Sequence, residues 1–269
     1  MRTFARELVV GTAAALALTA VSRLAPVTGG SSIAVVLQTA ARTIAVTIPV
    51  AAGLYAWRRA PFERFGRLLV AMGAGVLVVT LSLSDESVAY STGRVAIWVA
   101  EAGLIYLILS FPSGRLAEPV DRLLATAAVL LVALLYVPTA LLVERYPTPT
   151  LWAVCGADCP GNAFMAVAHE PWVVEQLVQP VRELLTIGLF AAIIGRLAQR
   201  LRGASRLRRR TLAPVLAVAI AWALLLATAL VARRAWPGSP LLDVAVWMLA
   251  LTFPAIALGF LVGVVRWWA

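Results

Sequence analysis

Few side chains in this 269-residue chain are suited to chemistry, and that scarcity narrows what it can do. Its two cysteines, Cys155 and Cys159, form a C-x-x-x-C pair in a polar, proline-bearing stretch, and its one histidine, His169, follows in the same stretch. Two cysteines and one histidine leave a tetrahedral metal shell incomplete, so no metal site is expected. On an exported loop the first reading of the pair is a disulfide; a redox-sensing pair and two reduced, packed cysteines are the alternatives. His169 reads as a surface-loop residue, with pH sensing as the alternative. No glycine-rich nucleotide box accompanies any of them, so no catalytic residue is assigned and no cofactor is expected.

The other candidates are ionisable groups inside apolar runs, where charge is costly and defaults to a paired or functional role. Arg42 and Glu101 qualify. Counted from the outer ends of their runs at 1.5 Å per residue, their depths agree within ~3 Å, so a buried ion pair between them is geometrically allowed. Gln38 lies one turn outward on the face of Arg42, and Trp98 on the face of Glu101. Gln38, Arg42, Trp98 and Glu101 therefore read either as the lining of an outward-opening polar pocket or as a pair that fixes helix packing.

The elements that must position these residues are membrane helices. The chain is 62% hydrophobic and 13% charged, far from the even mixture of a soluble domain. Runs long enough to cross a roughly 30 Å hydrocarbon core fall near residues 8–24, 34–57, 68–84, 95–111, 123–143, 181–197, 212–231 and 244–265. The expectation is a single all-α transmembrane domain, a bundle of about eight helices with one compact loop at residues 144–180. A cleaved first helix is the alternative, because Arg2 and Arg6 precede an apolar stretch that ends in small residues.

Arginine positions set the orientation. The chain has 23 basic residues and a net charge of +10. With the N-terminus inside, sixteen arginines fall on inner flanks and six on outer ones, namely Arg23, Arg94, Arg145, Arg182, Arg233 and Arg234, with Arg42 inside a span. Cytoplasmic flanks collect positive charge, so both termini are expected in the cytoplasm. The basic excess is thereby matched to anionic lipid head groups, and nucleic acid is not expected as a partner. In the last run Gly259 and Gly263 form a G-x-x-x-G that lets two helix backbones approach, within the chain or across a homodimer.

The stretch Ser110-Phe111-Pro112-Ser113-Gly114-Arg115-Leu116, followed by Pro119, Asp121 and Arg122, resembles the FPxGRL turn in the N-terminal membrane region of actinobacterial two-component sensor histidine kinases. The loop Trp152…Cys155…Cys159-Pro160-Gly161-Asn162 is similar to that family's Trp…Cys…Cys-Pro-x-Asn loop, and residues 202–216 to its basic connection into the next span. In physical terms Pro112 and Gly114 stop a helix, while Arg115 holds the turn at the head groups. The resemblance implies a sensor region in a bacterial plasma membrane that passes a conformational change through its last helix to a cytoplasmic kinase core, and so to a response regulator. That core is expected to be absent from these 269 residues. The alternatives from other classes are a small transporter or membrane-embedded enzyme centred on Arg42 and Glu101, and a non-signalling scaffold.

Overall fold

The structure is a computed structural model that describes residues 32–147, 159–236 and 239–268. The side chains of residues 32–42 and of a few positions in the last two helices fall outside that description. So do the first expected span, at residues 8–24, and Cys155.

Every regular element among the described residues is helical. Helix α1 is Ser32–Trp57, α2 is Glu63–Leu83, α3 is Ser87–Ser110 and α4 is Pro119–Ala140. Beyond the loop, α5 is Val174–Gly203, α6 is Arg206–Ala235 and α7 is Pro240–Trp268. Five of them, α2 to α6, are long and apolar enough to cross a membrane, and α1 and α7 contain shorter apolar stretches, Thr43–Trp57 and Pro254–Arg266. Apolar side chains also face outward: Leu123 and Leu184 are each 69% exposed, a surface suited to lipid and costly in water. The chain has the helices of a multi-pass membrane protein.

Packing follows the small residues. Without a hydrophobic drive between helices in lipid, close backbone approach at glycine is what holds helices together. A Cβ on Gly66 of α2 would lie 2.3 Å from the backbone nitrogen of Trp57 in α1, and one on Gly93 of α3 would lie 2.0 Å from that of Ser82. Helix α1 thus packs on α2, and α2 on α3. Helix α7 lies against α1 and α6, and α5 joins α6 to α4. Gly259 of α7 sits over the α6 backbone at Pro214 and Val215, about van der Waals distance away, so its contact is within the chain. Gly263 is buried as well.

Two knots tie the ends of the bundle. At the end of α3, Gly114 adopts φ +70°, a conformation that suits glycine, and it packs against Phe65 at the start of α2. Phe111, Phe65 and Phe260 of α7 form an aromatic trio with centroids 4.8–5.3 Å apart, Phe65 meeting the other two edge-to-face. Beside it the fully buried Asp121 accepts from Arg196 Nε at 2.8 Å. Arg196 also pairs with Glu118, and Arg200 donates to the carbonyl of Leu109 at 2.9 Å. Pro112 is half-buried and Arg115 exposed at this turn.

The opposite end carries the loop. Asn162 organises it by donating to the carbonyls of Ala140 and Val143 at 2.6 and 2.7 Å and accepting from the Tyr146 hydroxyl at 2.8 Å. Ala163 N–H donates to Ser91 Oγ of α3. Burial pushes the Tyr146 phenol above its ordinary pKa, opposed by its hydrogen bond with Ser91 and by the Arg94 charge. Cys159 is disulfide-bonded. His169 is exposed on this loop.

Candidate functional site

Three helices bring charge to the loop-side half of the bundle. On α3, Arg94, Trp98 and Glu101 recur at i, i+4 and i+7 and so share one face. Helix α5 presents Arg182 and Thr186 one turn apart, and α6 presents Trp222, Leu226 and Arg233. These faces, closed by Tyr136 of α4 and by Leu242 and Leu249 of α7, enclose a cavity of about 140 Å³ that reaches Pro147 of the loop. An apolar cavity of ~150 Å³ is large enough for one benzene ring.

Local backbone shape aids the construction. Helix α4 carries a π-type turn at Val132–Tyr136, and α5 opens with another at Val174–Val178. Such turns rotate the following residues relative to a regular helix and are common at functional sites. The first directs the Tyr136 ring under Arg182, whose guanidinium lies 4.3 Å from the ring centroid. Its hydroxyl is 2.8 Å from Thr186 Oγ1.

The charges are unevenly neutralised. Arg233 pairs with Glu183 at 3.0 Å, and Arg234 takes the other oxygen of the same carboxylate at 3.0 Å. Arg94 donates to the carbonyl of Pro147 at 2.6 Å and lies 5.6 Å from the Tyr146 ring centroid. Arg182 is as buried as Arg94, each being 3% exposed, and among the described residues the Nε of each has no hydrogen-bond partner. Arg182 lacks the carbonyl contact that Arg94 makes with Pro147, and its charge rests on the faces of Tyr136 and, at 6.0 Å, Trp98. Desolvating an ion costs several kcal/mol, whereas a desolvated cation–π contact returns about 2 kcal/mol. The balance is a positive charge held in the cavity wall at a net cost, with room beside it for an anion.

Among the sequence-based candidates, Trp98 and Glu101 line this cavity together. Among the described residues the charges acting on Glu101 are those of Arg233 and Arg94. Gln38 and Arg42 lie on α1, but their side chains are outside the described residues. Sequence alone places Arg94, Arg182 and Arg233 on outer flanks, because each stands at or within two residues of the end of an apolar run. Their i+4 partners Trp98 and Thr186 carry the helical spacing that would have placed Arg94 and Arg182 inside. Among the described residues no cluster of metal-ligating side chains occurs.

No family model, no curated protein and no solved structure matches the chain.

Proposed function

We propose that the chain is a membrane sensor module of the bacterial plasma membrane, in which occupancy of the charged cavity is passed along α7 to a cytoplasmic kinase core. In this reading the bundle has eight spans, both termini are cytoplasmic and the 141–173 loop is outside. The observation that carries it is the path of α7. Near one end its Leu242 and Leu249 line the cavity, and near the other its Phe260 is locked between Phe65 and Phe111 of the turn.

Leu242 and Phe260 are separated by roughly 27 Å at 1.5 Å per residue. Pro254 lies between Leu249 and Phe260 within the helix, where it removes a backbone hydrogen bond and allows a bend. A ligand that pushes on Leu249 therefore acts on a bendable lever that pivots where Phe260 packs between Phe65 and Phe111, so residues beyond Phe260, Val265 among them, move with it. Only a ligand with different affinity for two lever positions shifts their balance. The resemblance of residues 110–124 to a sensor-kinase turn supports the same direction of signalling.

The test joins a dimeric histidine-kinase core to the end of the chain and fills the cavity by Leu226→Trp. Autophosphorylation in vesicles is expected to change at least threefold, in either direction, against the unfilled fusion. Equal phosphorylation with the cavity filled would remove the signalling reading.

A transporter is the second reading, favoured by buried charge at the bundle centre. Uptake into proteoliposomes of a compound that binds the cavity would favour it, and binding without uptake would exclude it.

A further inference from the structure

We infer that the cavity is a recognition site for a small organic carboxylate with a compact apolar body, and that Arg182 is the residue that receives its carboxylate. The inference deepens the reading of this cavity as a ligand chamber, and it stands apart from the signalling step, since binding is measured directly.

Arg182 carries the chemistry. It is more than nine-tenths buried and lines the cavity, and its Nε is without a hydrogen-bond partner. Among the described residues no carboxylate oxygen lies within ion-pair distance of it; Glu183, its neighbour in sequence, is turned to Arg233 and Arg234 instead. A guanidinium offers a planar fork of donors that matches a carboxylate in two parallel bonds. Beside it the Thr186 hydroxyl donates to the Arg182 carbonyl at 2.7 Å and accepts from the Tyr136 hydroxyl at 2.8 Å, so both hydroxyl protons are engaged and the guanidinium is left as the donor for the anion.

The rest of the wall selects the body. Trp98, Trp222, Leu226 and Leu249 are apolar or aromatic, so a small hydrated ion such as chloride or sulfate would leave them facing empty space. The volume of about 140 Å³ suits a single ring or a short branched chain. A long acyl chain from the bilayer does not fit it.

The test uses the purified full chain in lipid nanodiscs, with benzoate as probe, benzyl alcohol as its uncharged counterpart, and sulfate and decanoate as competitors, read by calorimetry. Benzoate is expected to bind at least tenfold more tightly than benzyl alcohol. Arg182→Gln is expected to weaken benzoate about tenfold or more while leaving benzyl alcohol unchanged. Should that variant fail to fold, Leu226→Trp serves instead, and it is expected to abolish benzoate binding by occupying the cavity. Equal binding of benzoate and benzyl alcohol, or full benzoate affinity in either variant, would overturn the proposal. Displacement by equimolar sulfate would overturn it in favour of an inorganic anion, and tighter binding of decanoate in favour of a lipid-derived one.

Discussion

Replacing Asp121 by alanine removes a carboxylate that is fully buried at the start of α4 and bonded to Arg196 Nε at 2.8 Å. Arg200 lies 3.9 Å from its other oxygen. Breaking a buried pair by deleting one partner costs about 3–5 kcal/mol when the remaining charge is stranded. Here the stranding is partial. Arg196 retains Glu118 and is 11% exposed, while Arg200 retains the Leu109 carbonyl and is 20% exposed. The expected loss is therefore nearer about 2–3 kcal/mol. The assay is reversible unfolding in mixed micelles of the parent, Asp121→Ala, Arg196→Ala and the double variant. A coupling energy of about 1–2 kcal/mol between the two positions is expected, within the range for directly bonded residues. Additive effects, or a loss below about 0.5 kcal/mol, would refute the role given to this pair in joining α4 to α5.

Glycine substitutions should separate contact from propensity. Gly93→Ala, whose Cβ meets the Ser82 backbone, is expected to cost about 3 kcal/mol or more in the same unfolding assay. Gly75→Ala, with open space around it, should be neutral or stabilise by up to about 1 kcal/mol. In the loop, Asn162→Ala removes side-chain hydrogen bonds to Ala140, Val143 and Tyr146. Faster hydrogen exchange confined to residues 141–173 is the expected result, and unchanged protection there would show that the loop is held otherwise. Tyr136→Phe loses the bond with Thr186 and should cost about 1 kcal/mol of stability.

The helices were legible because apolar runs of membrane length are a strong signal, and α1 to α7 each overlap one of the expected spans, though α4 stops at Ala140, three residues short of the run at 123–143. Their ends were not. The runs at 95–111 and 181–197 begin beside Arg94 and Arg182, whereas α3 and α5 extend roughly two turns further toward the loop, with Glu86 capping α3 by accepting from Val88 and Ala89. Apolarity marks where lipid begins, while capping and packing decide where a helix begins. That difference hid half the site: Glu101 stood out as a charge in an apolar run, but the arginines facing it had been set at the membrane surface. The aromatic trio was equally hidden, since Phe65, Phe111 and Phe260 are distant in sequence and ordinary in type. The role of Pro112 and Gly114 as a helix stop was readable from backbone chemistry alone, and α3 ends at Ser110 beside them.

The central claim is that the cavity and the exit end of α7 are coupled, and a distance across that end tests it most directly. Spin labels at exposed Val265 of α7 and exposed Arg67 of α2, with the native disulfide kept oxidised, report the position of the lever in nanodiscs. Filling the cavity with saturating benzoate or by Leu226→Trp is expected to shift the mean distance by about 1–2 Å, the scale of helix movements in switching proteins, or to redistribute two resolved distances. Superimposable distance distributions, in samples whose cavity is filled as judged by calorimetry, would contradict it.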